Sequence, residues 1–102
     1  CMKINRKWTN ERVQWGHPIG EHETIAGKQA KIASDAFAMD AVWKVASTMA
    51  DNKHFDIRLE AAIAKLFNTV AHYEILQQTL QIRGGRGFET ADSLRARGEE
   101  GI

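Results

Sequence analysis

The stretch Gln81-Ile82-Arg83-Gly84-Gly85-Arg86-Gly87-Phe88 closes a long apolar-striped helical pattern and carries the residue types of an anion site. Adjacent glycines at a helix end reach positive φ with no Cβ in the way, so a diphosphate can come up against the main chain. Arg83 and Arg86 would add charge beside it. Glycines after a helix also act simply as C-caps, and spacing alone favours that plainer role. A second segment changes the balance. Glu11-Arg12-Val13-Gln14-Trp15-Gly16-His17-Pro18-Ile19-Gly20 sets an arginine, an aromatic and a glycine where a first helix gives way to a loop. Other chemistries fail on spacing. His17, His22, His54 and His72 form no i, i+4 pair, and with a single cysteine there is no zinc-type grouping. Gly85-Arg86-Gly87 follows a helix rather than a strand and lacks the third glycine of a dinucleotide fingerprint; no Gly-Lys-Ser/Thr follows for a P-loop.

The elements that must carry these segments are helical. Cys1, Ile4, Trp8, Val13 and Trp15 recur at roughly helical spacing and predict a first helix over residues 1–15, broken by Gly16, Pro18 and Gly20. From Glu21 to Asp51 there is no proline, and Ile25, Ile32, Ala36, Met39, Trp43, Ala46 and Ala50 keep one stripe while Ala26, Ala30, Ala33, Phe37 and Val45 add another. Asn52-Lys53-His54-Phe55 reads as a turn and Asp56 as an N-cap. A third helix then runs to Ile82 on a stripe of Leu59, Ile63, Leu66, Val70, Tyr73 and Leu80. Thr90 caps a short turn over Ala91 to Ala96, closed by Gly98. No alternating run predicts a strand. The three tryptophans recur among apolar stripes and read as core rather than as stacking platforms. Short connections between long amphipathic helices predict an all-α, up-down antiparallel bundle, three long helices plus a short C-terminal helical turn, in effect an incomplete four-helix bundle.

A chain of 102 residues supports one domain with a modest core. A net charge of +1 argues against a nucleic-acid binder that relies on a strongly basic surface. The lone Cys1 cannot form an internal disulfide. No apolar run is long enough to span a bilayer, and none reads as a signal peptide. The start inside an amphipathic pattern and the abrupt Glu99-Glu100-Gly101-Ile102 end predict a piece of a larger polypeptide.

Together the two segments resemble the C-terminal helical domain of the acyl-CoA dehydrogenase family, in which an Arg-x-x-aromatic-Gly element and a Gln-Ile-x-Gly-Gly-x-Gly-aromatic element lie on successive helix ends. Both are present here in that order, and the resemblance covers essentially all of residues 1–102. It implies FAD held between subunits, with the two elements contacting its ADP and diphosphate part. Arg12, Gln14 and Trp15 match the first element; Gln81, Arg83, Gly84 and Gly85 match the second. His22 and Glu23 fall where many members have His-Gln, the Gln reaching the cofactor of the neighbouring subunit. A carboxylate beside a diphosphate is repelled unless protonated or paired, so Glu23 reads first as a first-turn charge at a helix N-terminus.

The resemblance further implies an acyl-CoA substrate converted to a trans-2-enoyl-CoA, electron-transfer flavoprotein as partner, a dimer or tetramer, and a bacterial cytoplasmic or mitochondrial matrix setting. The family's catalytic glutamate lies outside the matching segment, so no catalytic residue is carried over, and no metal ligand is expected. Two alternatives of other classes stand beside this one: a purely structural helical oligomerisation module, and a non-catalytic, DNA-associated relative of the same fold. The balanced charge speaks against the latter. The bundle's final helix is missing from the chain, so an apolar flank is expected to be completed by other polypeptide.

Overall fold

A computed structural model describes residues 1–54 and 56–99. Phe55 of the predicted turn and Glu100 to Ile102 lie outside the described residues. The chain forms α1 (Met2–Glu11), a two-residue hairpin of β1 (Val13–Gln14) and β2 (His17–Pro18), a 3-10 turn (Ile19–Glu21), α2 (Glu23–Asp51), α3 (Arg58–Arg83), a second 3-10 turn (Gly84–Phe88) and α4 (Ala91–Ala96).

Side-chain pairs fix the directions. Lys28 reaches Gln78 and Lys31 reaches Glu74, so α2 and α3 run antiparallel. Asn5 meets Thr79 and Trp8 meets Ile82, so α1 runs parallel to α3 and the order is up, down, up. The all-α bundle is as expected from the helical periodicity.

The first helix is shorter than its stripe predicts. It ends at Glu11, and Val13↔Pro18 and Gln14↔His17 pair as antiparallel strands around Trp15 and Gly16. Both turn residues are left-handed, at φ 51° and 84°, the conformation of a tight two-residue hairpin turn whose twist suits the strands. Two residues per strand cannot display alternation, so the hairpin has no sequence signature. Asp56 is likewise displaced from its expected place. Ile57 occupies the N-cap of α3, while Asp56 Oδ1 accepts the Arg58 N–H at 3.2 Å and pairs with the Arg58 guanidinium. Thr90 does cap α4, its Oγ1 accepting the Ser93 N–H at 3.3 Å.

The core sits at one end of the molecule. Ile32 of α2 and Ile75 and Ile82 of α3 are buried together, with Cys1, Trp8, Ile25 and Met39 packed against them. On α3, Ala71, Ile75 and Ile82 form the buried seam, with Thr79 among them. The predicted stripe of Leu59, Ile63, Leu66, Val70 and Tyr73 instead faces solvent, as do Phe37, Trp43 and Val45 of α2. α3 is apolar on two faces, and among the described residues only one of them is buried. The Cα radius of gyration, 17.3 Å, exceeds the roughly 13 Å of a compact chain of this length. The extents of 57 × 31 × 16 Å are those of a slab.

α1 docks through polar groups. Its two most enclosed side chains are Asn5 and Thr9. Asn5 Nδ2 donates to Thr79 Oγ1 at 2.9 Å, and Thr79 Oγ1 donates to the Ile75 carbonyl at 2.8 Å. Trp8 Nε1 donates to the Ile82 carbonyl at 3.2 Å. A buried chain of this kind fixes register, because a slip would strand its donors. Thr9 packs under Gly20, where an added Cβ would lie 3.2 Å from Thr9 Cβ, and so seats the first 3-10 turn on α1.

Candidate anion-binding groove

Two helix ends meet at one groove. At the end of α1, the Arg12 N–H donates to the Trp8 carbonyl at 2.9 Å, and the Arg12 carbonyl accepts from the Ile19 N–H at 2.8 Å. The backbone is thus held on both sides as Arg12 leaves the helix with extended dihedrals. Among the described residues no carboxylate lies within salt-bridge distance of its guanidinium. The hairpin that follows carries Gln14. His22 Nε2 lies 3.1 Å from the Gln14 carbonyl, and the Trp15 ring stands edge-on to His22 with centroids 5.5 Å apart.

At the end of α3, the Gly84 N–H donates to the Gln81 carbonyl, and Gly84 takes φ 58°, ψ −134°, a region essentially closed to residues with a Cβ. A Cβ placed at Gly84 or Gly85 would meet nothing within 4 Å. The backbone there is open to an approaching group. Gly87 has the opposite role. A Cβ there would lie 2.8 Å from the Leu80 carbonyl oxygen, so its absence lets the turn fold back onto α3.

Arg12, Gln14, Arg83, Gly84, Gly85 and Arg86 line a groove of about 420 Å³ walled by Trp8, Ile19 and Ile82, with Glu89 at its edge. Residues separated in sequence by the whole of α2 and α3 therefore share one surface. His22 does not line the groove and is tied to it by its contact with the Gln14 carbonyl, while Trp15, next to Gln14 in the chain, sets its ring against His22. Trp15 is 86% exposed. Glu23 is the first residue of α2 and Gln81 is exposed on α3, contributing its carbonyl to the turn.

The charges are not all free. Arg83 Nη2 donates to Glu99 Oε2 at 2.9 Å, and Arg86 Nη1 pairs with Glu99 Oε1. Both guanidiniums lie 5.4 Å from the Trp8 ring centroid, within cation–π range. The Arg83 hydrogen bond, aided by the nearby Arg86 and Arg97 charges, holds the Glu99 carboxyl below the usual glutamate range. Glu89 lies 3.6 Å from Arg86 Nε and 3.4 Å from Arg97 Nη1. Sequence reading did not single out Trp8, Glu89 or Glu99 as members of this site. Trp8 alone left a hint, one helical turn before Arg12.

The groove offers the Arg12 guanidinium fork, which no described carboxylate pairs with, exposed main chain at two glycines, and an amide side chain. These are binding groups for phosphate oxygens. Among the described residues no cluster of three His, Cys, Asp or Glu side chains could hold a metal ion, and no helix is long and apolar enough to cross a membrane.

Comparison with known proteins agrees with these motifs. Residues 1–98 match the family described as acyl-CoA dehydrogenase, C-terminal domain. The chain is 52% identical over its full length to "Probable acyl-CoA dehydrogenase FadE10" of Mycobacterium tuberculosis, and spans 16% of that relative. It is 31% identical over 84 residues to "Probable acyl-CoA dehydrogenase YdiO" of Escherichia coli, covering 80% of this chain and 21% of the relative. To the "Very long-chain specific acyl-CoA dehydrogenase, mitochondrial" of Macaca fascicularis it is 28% identical over 81 residues, 79% of this chain and 12% of the relative. With residues 1–98 of its 102 inside the family match, the chain belongs to the acyl-CoA dehydrogenase family.

Proposed function

We propose that this chain is the cofactor-contacting and subunit-contacting part of a flavin-dependent acyl-CoA dehydrogenase, an enzyme that takes an acyl-CoA thioester to its trans-2-enoyl-CoA. The observation that carries the proposal is the convergence of Arg12 and Gln14 with Arg83, Gly84 and Gly85 on one groove. The residues present fit FAD on three counts. Arg12, with no carboxylate partner among the described residues, has a guanidinium that can fork to diphosphate oxygens. Gly84 and Gly85 leave the backbone clear for close approach. Gln14 supplies both a donor and an acceptor. Bound there, FAD would supply the two-electron acceptor for the dehydrogenation. The chain's own part is to bind and orient.

We place Trp15, His22 and Gln81 at the rim of the proposed site, and Glu23 is its weakest member, being a first-turn carboxylate at the N-terminus of α2. The exposed Leu59, Leu66, Val70 and Tyr73 of α3 support the subunit-contact half of the reading, since an apolar face of this extent calls for a cover. Electron-transfer flavoprotein is the proposed electron acceptor, in the bacterial cytoplasm or the mitochondrial matrix.

The test is flavin retention in the full-length enzyme carrying this sequence. Arg12→Ala is expected to strip FAD through gel filtration while the elution volume and helical ellipticity hold. Retention of stoichiometric flavin by that variant would remove Arg12 from the site. A wild-type enzyme that never carries flavin would reduce the family likeness to one of fold.

A further inference from the structure

We infer that Glu99 is a positioning residue: its carboxylate, bridging the guanidiniums of Arg83 and Arg86 beside the Trp8 ring, holds the Gly84–Phe88 turn in the shape that opens the groove. This rests on the functional reading above for what the groove binds, but the bridge itself stands on geometry.

Glu99 is brought to the site by the chain that follows the turn. Leu94 is buried and anchors α4. After α4, Gly98 takes φ 76°, and the Glu99 N–H donates back to the Leu94 carbonyl at 3.0 Å. That reversal, a helix ending through a left-handed glycine, returns the chain so that Glu99 meets both arginines. On the other side of α4, Glu89 contacts Arg86 and accepts from Ser93 Oγ at 2.7 Å. Both flanks of α4 are therefore fastened to Arg86, a residue of the glycine turn.

The arginines need this partner. The Arg83 side chain is only 9% exposed, and a guanidinium so enclosed loses most of its hydration. Trp8 covers it and Glu99 neutralises it. Without the carboxylate, Arg83 would move to regain water, and Gly84 would move with it because the two are consecutive. Gly84 offers no resistance of its own, since a glycine has many alternative backbone states. The turn at the groove is shaped by side chains on either side of a pliable segment.

An opposite role can be imagined for Glu99, an internal anion competing with phosphate for the same arginines. The two roles predict opposite signs. FAD affinity and amide hydrogen exchange would be measured on the full-length enzyme as wild type, Glu99→Gln, Glu99→Asp and Arg83→Gln, with Glu99→Gln also placed on the Arg83→Gln background. Positioning predicts FAD binding about tenfold weaker in Glu99→Gln, the loss of one charge-assisted contact, with a smaller loss in Glu99→Asp. It also predicts faster exchange across Gly84–Phe88 with exchange at Ile32 and Ile75 unchanged. On the Arg83→Gln background the effect of Glu99→Gln should shrink, because the two act as one unit. Affinity equal to or tighter than wild type with unchanged exchange would overturn the inference. If the wild-type enzyme carries no flavin, the functional reading falls and exchange decides alone: faster at the turn supports the bridge, unchanged refutes it. Should Glu99→Gln fail to fold, Glu99→Asp decides on the same two readings.

Discussion

Gly85 and Gly87 look equivalent in the sequence, yet the structure gives them different tasks, and Gly87→Ala separates them. A Cβ at Gly87 would sit 2.8 Å from the Leu80 carbonyl oxygen and 3.1 Å from Leu80 Cα. Both are backbone atoms inside α3, so neither can rotate away. Reaching ordinary contact requires the turn to back off by roughly half an ångström, and overpacking of this order costs about 1–3 kcal/mol. Gly85→Ala is the control. A Cβ there meets nothing, and Gly85 is not among the left-handed residues. Its expected effect is from zero to a gain of about 0.4–1 kcal/mol through a less flexible unfolded chain. Thermal denaturation followed by far-UV circular dichroism reads the difference, at roughly 4–8 °C per kcal/mol in a domain of this size. A Gly87→Ala protein as stable as Gly85→Ala would refute the argument that close approach to Leu80 is what the third glycine provides.

Two further outcomes are expected. Trp15 holds φ 51° with its ring in solvent, a left-handed placement that costs a bulky residue about 1–2 kcal/mol and that asparagine tolerates. Trp15→Asn should therefore raise the denaturation midpoint while lowering flavin retention in the full-length enzyme; a variant less stable than wild type would show that the backbone is unstrained. Glu99 gives a pH signature. Its folded-state pKa is depressed, chiefly by Arg83, so its contribution to stability is complete above the ordinary value near 4.5 and fades as pH falls through the lower folded value. The gap in urea midpoint between wild type and Glu99→Gln should close on acidification, and a gap independent of pH would contradict the bridge.

Helical periodicity was enough to locate α2 and α3 and their connection, because each holds one residue pattern over many turns. It could not say which apolar face would be inside. Ile75 and Leu66 are equally apolar, and the difference between buried and exposed lies in what α2 can reach. The motifs pointed to Arg12, Gln14 and the glycines, which do share a groove. They were silent on Glu99, since an ion pair spanning α4 leaves no periodic trace. The hairpin was hidden for a related reason. Trp15 is a poor residue for a left-handed turn, so local preference argued against what the pairing of Val13 with Pro18 imposes.

The polar clip between α1 and α3 bears on the order in which the chain assembles. Asn5 and Thr79 are 74 positions apart, as are Trp8 and Ile82, whereas α2 and α3 are joined by a short connection. Loop closure disfavours the distant contacts. The α2–α3 hairpin should form in the rate-limiting step and α1 should add afterwards, so that Asn5→Ala accelerates unfolding and leaves the folding rate nearly unchanged. A helix whose best-buried groups are polar gains little from early collapse. It locks a structure that its neighbours have already built.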